Sequence, residues 1–153
     1  MNSNFKKETL EKYMRLVLKE ATLAFNEGEV PIASLIVKDG EILSLERNRV
    51  EALQDATKHA EMLALQAASK KIRNWRLDGA SLFVNVEPCT MCMGAIELAR
   101  ISSVIYGASE PLRGACGSRY DLSMYNLKKI KIISGILENE ASELLKMAFM
   151  KKR

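Results

Sequence analysis

A chain of 153 residues is long enough to bury a hydrophobic core, and we expect a single domain over residues 1–153. Apolar residues make up 48% and charged residues 27%, which excludes a disordered chain. The net charge of +4 is compatible with a polyanionic partner but does not by itself select nucleic acid. The sequence shows neither a signal-peptide core nor the roughly 18-residue apolar run of a membrane span, so we expect a cytoplasmic protein without a membrane partner.

The first half of the chain predicts a helix, a hairpin and a second helix. Apolar residues recur at three- and four-residue spacing between positions 10 and 25, as on an amphipathic helix, which "NEGEVP" then ends. "IASLIV" and "ILSLERN" predict two strands joined by a tight turn at Asp39 and Gly40. The polar loop "RVEALQDA" leads to a helix from about Thr57 to Lys71.

The second half of the chain alternates strands and helices. "ASLFVNVE" predicts a third strand, and Pro88 is expected to open a helix through "CTMCMGAIELAR" because proline is favoured in a helix's first turn. "SSVIYGA" and "KIKIISGI" predict two more strands, separated by a long loop over residues 110–128 that is expected to be functional or partly helical. A last helix places Leu137 to Phe149 on one apolar face, and Phe149 is expected to pack in the core. This order predicts an α/β fold, a three-layer α/β/α sandwich around a central five-stranded mixed sheet.

Two cysteines and the chain's one histidine form a candidate metal site. Cys89 and Cys92 stand three residues apart at a predicted helix start, so both sulfur atoms are expected on the same face. The partial positive charge of a helix N-terminus favours thiolates, the form that binds metal. With His59 they make a set of three ligands suited to Zn²⁺, which leaves the open fourth position of a catalytic zinc site.

Glu61 stands two residues after the histidine and is a candidate proton shuttle. Residues two apart on a regular helix point roughly 200° away from each other, so His59 and Glu61 can face one metal only at a helix entrance. Zinc lowers the pKa of a bound water from near 16 to about 7, and a neighbouring carboxylate can move the released proton. The residues therefore predict a catalytic role for Glu61 and no role as a ligand.

Three other interpretations of these residues stay open. The C-x-x-C pair could be a redox pair, although it lacks a thioredoxin-like setting. Cys116 could close a structural zinc site as a fourth ligand, which would leave Glu61 without a task; alternatively it is a small buried residue. The chain could also be a non-catalytic, zinc-stabilised RNA-binding subunit, although such a subunit would be expected to lack the glutamate.

The segments "HAE" and "PCTMC" match the H-x-E…P-C-x-x-C signature of the zinc deaminases. Together with "GEVPIASLIV", "RNR", "HAEMLALQAA", "RGACGS" and "GILENEASELLKMAFMKKR", they make nearly the whole chain resemble the bacterial tRNA-specific adenosine deaminases. The resemblance implies a cytidine deaminase-like fold, a homodimer and one Zn²⁺ per subunit. It also implies conversion of the wobble adenosine of an arginine tRNA anticodon stem-loop to inosine. A deaminase of a free nucleobase or nucleoside, such as guanine or cytosine, is the alternative.

The resemblance also implies roles for individual residues. His59, Cys89 and Cys92 would hold zinc, and Glu61 would be the proton donor. The residues expected to contact or enclose the base are Asn48, Val30, Pro31 and the backbone N–H of Ala60.

The chain departs from the family pattern near the site. Ala56 stands where many members have a proline, and Lys58 puts a cation beside the histidine, where it is expected to face phosphate. Glu110 replaces a common aspartate and could alter contact with the ribose or a flanking nucleotide. The candidate phosphate contacts are Lys58, Arg113, Arg119, Lys151, Lys152 and Arg153, and the candidates for stacking on a base are Tyr120, Tyr125 and Phe149.

Overall fold

The computed structural model of the protein describes residues 5–123 and 129–151. The helices are α1 (Lys7–Asn26), α2 (Val50–Leu53), α3 (Ala60–Ile72), α4 (Thr90–Leu98) and α5 (Glu138–Lys151). The strands are β1 (Ala33–Lys38), β2 (Glu41–Arg47), β3 (Ser81–Val86), β4 (Ser103–Ala108) and β5 (Lys131–Ile133). Within these described ranges, no helix has the length and apolar content of a bilayer-crossing segment.

The five described strands form one mixed sheet in the order β2-β1-β3-β4-β5. Strand β1 runs antiparallel to both β2 and β3, whereas β3, β4 and β5 run parallel to one another. The predicted tight turn joins β1 to β2, and both of its residues, Asp39 and Gly40, have the positive φ that a two-residue hairpin turn requires. The predicted five-stranded mixed sheet is confirmed.

Helices cover both faces of the sheet and bury a separate apolar layer on each. Helices α1 and α5 pack on one face, where the buried side chains include Met14, Val17, Leu35, Phe83, Ile105 and Leu144. Helices α3 and α4 pack on the other, where the buried side chains include Ile36, Leu82, Val84, Met93, Ile96 and Val104. Alternate residues of β1, β3 and β4 enter opposite layers, as the two-residue period of a strand requires. The three-layer α/β/α sandwich is therefore confirmed.

Two helix starts differ from the sequence predictions. Helix α3 begins at Ala60 and not near Thr57, because His59 is its N-cap, with an extended ψ of 153°. Helix α4 begins at Thr90 and not at Pro88, because Cys89 is its N-cap, with a ψ of 177°. An N-cap residue keeps an extended backbone while its carbonyl accepts the first helical hydrogen bond. Both differences place a predicted metal ligand at a helix entrance.

Other differences concern a loop and the last helix. The polar loop after β2 contains the short helix α2, which the sequence pattern did not predict. The expected core packing of Phe149 is wrong, since its side chain is 68% exposed. The buried side chains of α5, Ala141 and Leu144, lie in its first half, so the end of this helix carries its apolar residues into solvent.

Candidate metal centre and active site

One edge of the sheet gathers the segments that carry the predicted site. Because β1 is antiparallel to β3, the start of β1 lies at the same edge as the ends of β3 and β4. That edge receives Val30 and Pro31 before β1, Asn48 after β2, and the chain from Glu87 to Cys89 after β3. The sheet topology therefore brings together, at this edge, segments that are far apart in sequence.

His59, Cys89 and Cys92 form a compact cluster at this edge. The Nδ1 atom of His59 lies 3.7 Å from the Cys89 sulfur and 3.6 Å from the Cys92 sulfur. The three ligand atoms all lie within 4.8 Å of one another, and within the described ranges this is the one such group of three or more potential ligands. The cluster combines the N-cap residues of two helices with a residue one turn into α4.

The separations in the cluster fit a tetrahedral zinc ion. Zinc bonds of about 2.3 Å to sulfur and 2.0 Å to nitrogen, at tetrahedral angles, separate the two ligand atoms by roughly 3.5 Å. The observed separations of 3.6 and 3.7 Å agree with that value. Cys116 lies outside the cluster, and its thiol donates to the Met93 sulfur at 3.5 Å. The three side chains can thus hold a metal ion, and the placement of Cys116 argues against a closed site with four protein ligands.

The cluster already favours one thiolate. The Cys92 thiol donates to Cys89, and this bond together with His59 lowers the pKa of Cys89 to about 4. The same bond and burial raise the pKa of Cys92, while the hydrogen bond with Cys89 raises that of His59. A coordinated dication removes the proton from a thiol outright, so Cys92 would lose its proton on metal binding.

Glu61 lies in the first turn of α3, beside the cluster and almost fully buried, with 4% of its surface exposed. Burial raises the pKa of its carboxyl group to about 7, and the nearby charge of Cys89 acts in the same direction. Its own backbone N–H and Cys92 are hydrogen-bond partners. Because His59 is a cap residue and not a helical one, the two side chains can face the same centre, as the sequence predicts. A carboxyl group with a pKa near neutrality can take up and release protons at neutral pH.

The predicted base-contacting residues lie at the same edge of the sheet as this cluster. Asn48 is buried, and its side chain makes two long hydrogen bonds, to the Val30 carbonyl at 3.4 Å and from the Val50 N–H at 3.3 Å. Pro31 is buried, whereas Val30 is exposed. Ala60 is the first residue of α3, so no helical carbonyl one turn earlier accepts its N–H. These residues line a single edge of the sheet.

Three polar residues with structural contacts around this edge were missed by the sequence reasoning. Asn85, inside β3, donates to the Pro31 carbonyl at 2.8 Å and accepts from the Ala33 N–H at 2.9 Å. Glu29 accepts hydrogen bonds from two backbone N–H groups at the start of α2, and Glu87 accepts from the loop after β4. For Asn85 and Glu87 the available signal was a polar residue within, or directly after, an otherwise apolar strand; Glu29, between α1 and β1, carried no such signal.

Comparison with known proteins identifies the family. Residues 8–153 match the family model of the MafB19-like deaminases. The tRNA-specific adenosine deaminase of Bacillus subtilis is 40% identical over 146 residues, covering 94% of this chain and 90% of that protein. The enzyme of the same name from Aquifex aeolicus is 39% identical over 149 residues, covering 94% and 95% of the two chains. The chain belongs to the tRNA-specific adenosine deaminase family.

Solved structures agree with membership of this deaminase family. A chain from a study of A-to-I editing by tRNA:A34 deaminases at the wobble position of transfer RNA superposes with a TM-score of 0.82 at 39% identity. The match covers 88% of this chain and 99% of that one. A guanine deaminase from Nitrosomonas europaea superposes with a TM-score of 0.80 over 90% of this chain and 83% of its own, at 23% identity, and shows the shared fold alone. The cytidine deaminase-like sandwich predicted from the sequence is confirmed, and the His/Cys/Cys cluster agrees with a zinc cofactor in this family.

Most of the predicted RNA-contacting side chains of this deaminase are exposed. Lys58 is partly exposed and Arg113 exposed, and the charge of Arg113 reaches His59 and opposes the rise in its pKa. The Glu110 carboxylate accepts from the Leu112 N–H at 2.9 Å, a local contact that sequence reasoning did not anticipate. Arg119 donates to the Tyr120 hydroxyl. The ammonium group of Lys151 lies over the Phe25 ring. Three further predicted contacts, Tyr125, Lys152 and Arg153, lie outside the described residues.

Hydrogen bonds hold the segment before α3 in place around Ala56, the position at which the family pattern has a proline. The Asp55 carboxylate accepts from both the N–H and the hydroxyl of Thr57, at 2.9 and 2.6 Å. The Lys58 N–H donates to the Asp55 carbonyl at 3.2 Å. These contacts form a tight turn around the exposed Ala56, so the segment before His59 is fixed without the proline ring.

Proposed function

We propose that this deaminase converts adenosine to inosine at the wobble position of a tRNA anticodon stem-loop. The observation that carries the proposal is the buried Glu61 beside a three-ligand cluster, in a chain 40% identical over nearly its full length to a tRNA-specific adenosine deaminase. The reaction consumes water and releases ammonia. An anticodon loop suits it, because an unpaired base leaves its stack at less cost than a base in a duplex.

His59, Cys89 and Cys92 would hold one zinc ion per subunit. When bound, zinc supplies a Lewis acid that makes water a nucleophile at neutral pH. Glu61 accepts a proton from the attacking water and passes it to N1 of the adenine as oxygen adds to C6. Glu61 then transfers the remaining hydroxyl proton to the amino group as the C6–N bond breaks. The products are inosine and ammonia, and Glu61 returns to its starting state.

The edge of the sheet would place the base for this transfer. Asn48 would exchange its two long hydrogen bonds for contacts with the purine, and Val30 and Pro31 would close the side of the pocket. The N–H of Ala60 would donate to the base. Lys58 and Arg113 would neutralise phosphates of the anticodon loop without reading its sequence.

The finer features of the function are also proposals. An arginine tRNA is the expected substrate on the family resemblance stated above. The resemblance likewise supports a homodimer, and Leu98 at the end of α4, 76% exposed, offers an apolar side chain for a partner to cover. We further propose that the chain acts as one domain in the cytoplasm. Light scattering of the purified protein would show two chains per particle if the dimer proposal holds.

A stem-loop assay tests the proposed activity. The zinc-loaded protein is incubated with an arginine anticodon stem-loop carrying adenosine at the wobble position, and inosine is measured after digestion to nucleosides. We expect inosine at that position only. The matched control substrate moves the single loop adenosine by one nucleotide and keeps the stem unchanged.

The same assay separates the alternative activity. Free adenosine, guanine and cytosine are supplied in parallel, and ammonia release is followed. Turnover of a free base or nucleoside, with no inosine in the stem-loop, would replace the tRNA proposal with the nucleobase alternative.

A further inference from the structure

Glu87 directly follows β3, next to the Pro88–Cys89 segment, and is almost fully buried, with 3% exposure. Its carboxylate accepts hydrogen bonds from the backbone N–H groups of Glu110, Cys116 and Ser118, at 3.1, 2.9 and 3.1 Å. The Ser118 hydroxyl also donates to it. Four donors from one surface loop thus converge on a single buried carboxyl group. We call residues 110–118 the Glu87 loop.

The packing around this carboxylate leaves no space for a side chain at Gly114. A Cβ there would overlap both the Glu87 carboxyl carbon and the Glu110 carbonyl oxygen. The Gly114 N–H donates to that carbonyl at 2.8 Å, which closes a turn directly over the carboxylate. The Glu87 loop is therefore folded around the glutamate, and not merely adjacent to it.

The Glu87 loop also lies beside the metal cluster. The Ala115 N–H donates to the Pro88 carbonyl at 2.8 Å, one residue before the ligand Cys89. The exposed Arg113, in the same loop, is close enough for its charge to act on His59. The hydrogen bond to Pro88 thus ties the Glu87 loop to the segment that carries the zinc ligand Cys89.

We propose that Glu87 is the positioning residue for one wall of the RNA site, and that it sets where Arg113 meets the phosphates of the anticodon loop. This inference rests on the proposed function, because the wall is useful only if an RNA binds there. In this role Glu87 would touch neither the metal ligands nor the reacting atoms. Its loss should weaken RNA binding while leaving the chemical step largely intact.

The variant Glu87→Gln tests the proposal, because it keeps the side chain's shape but replaces an acceptor oxygen with a donor group. Amide hydrogen exchange should accelerate about tenfold or more at residues 110, 116 and 118. The matched control is Glu29→Gln, which removes a similarly buried carboxylate that accepts from the N–H groups of Glu51 and Ala52, at 2.9 and 2.7 Å. Exchange at residues 51 and 52 should respond to Glu29→Gln and not to Glu87→Gln.

Binding and turnover complete the test. For Glu87→Gln we expect the stem-loop Kd and KM to rise about tenfold, kcat to stay within about threefold, and zinc content to stay unchanged. Ser118→Ala, which removes one of the four donors, should give a smaller change in the same direction and serves as the test if the glutamine variant fails to fold.

Unchanged exchange in the loop, or a fall in kcat at constant KM and Kd, would overturn the proposal. If the wild type makes no inosine, the proposed function fails, while the exchange and Kd measurements still decide the role of Glu87.

Discussion

The first turn of α3 and the position directly after β3 each hold a buried glutamate near the metal cluster, and the two residues are equally buried, at 4% and 3% exposure. Their surroundings differ. Glu61 has few donors and burial raises its pKa to about 7, whereas Glu87 accepts four hydrogen bonds from one loop. Burial alone therefore does not assign a role to a carboxylate.

The difference lies in the hydrogen bonds that each environment gives to the carboxyl group. Few compensating donors leave the Glu61 carboxyl group able to exchange protons near neutral pH, as proton transfer requires. Several N–H donors instead fix the Glu87 carboxylate as an acceptor, and a group so occupied is suited to holding a backbone in place. We therefore expect that replacing Glu61 lowers kcat, whereas replacing Glu87 weakens RNA binding.

The largest expected effect comes from removing a metal ligand. Cys89→Ala deletes one of three ligands, so the zinc content should fall from about one ion per chain to near zero, and inosine formation should stop. Metal analysis and the stem-loop assay would measure both. Cys116→Ala is the matched control for metal content, since that thiol contacts Met93 and not the cluster. Full zinc in Cys89→Ala, or its loss in Cys116→Ala, would contradict the assigned ligand set.

The next largest effect is expected from Glu61→Gln, which keeps the shape of the side chain but removes its capacity to carry a proton. Turnover at saturating stem-loop should fall by about 10²–10⁴-fold, the usual contribution of a positioned acid or base. Zinc content and stem-loop Kd should stay close to the wild-type values. A variant that keeps wild-type turnover would exclude Glu61 as the shuttle.

Asn85→Ala tests the support beneath the pocket wall. It leaves the Pro31 carbonyl and the Ala33 N–H without their side-chain partner, and each unsatisfied buried group costs roughly 1–3 kcal/mol. The free energy of unfolding, measured in urea, should fall by about 2–4 kcal/mol. Asn74→Ala is the matched control, because that amide is exposed and accepts only from the Arg76 N–H. Equal losses for the two variants would show that Asn85 does not support the wall.

The smallest effect is expected from Arg113→Gln, which removes one exposed positive charge next to the cluster. One lost phosphate contact should raise the stem-loop Kd by roughly three- to tenfold and reduce the salt dependence of binding by about one phosphate. The control is Arg15→Gln. Arg15 pairs with Glu11 on the same helix, α1, which covers the sheet face opposite to α3 and α4. An unchanged salt slope for Arg113→Gln would remove it from the RNA contacts.

The sequence predicted the cluster and the sheet well because both follow local patterns. Apolar alternation and turn residues determine the strands, and the spacing of Cys89 and Cys92 determines that their sulfur atoms share a helix face. The prediction that His59 and Glu61 meet only at a helix entrance is confirmed by the N-cap position of His59. The assigned chemical roles of these residues stay predictions.

The parts that sequence reasoning missed depend on contacts between distant segments. Glu87 and Asn85 look like ordinary polar residues at and within a strand, and their partners are backbone groups up to 54 positions away. No residue pattern indicates a backbone N–H as a partner, since every residue except proline carries one. The prediction of core packing for Phe149 was wrong for another reason. Helical periodicity shows which face of α5 is apolar but not whether the sheet extends far enough to cover the end of the helix.

The most direct test compares Glu61→Gln and Glu87→Gln in single-turnover reactions, with both proteins loaded with zinc and the wobble-adenosine stem-loop at saturation. We expect inosine formation to fall by about a hundredfold or more for Glu61→Gln and by no more than about threefold for Glu87→Gln. Equal loss in both variants, or a greater loss for Glu87→Gln, would contradict the distinction between a glutamate that moves protons and one that holds the site in shape.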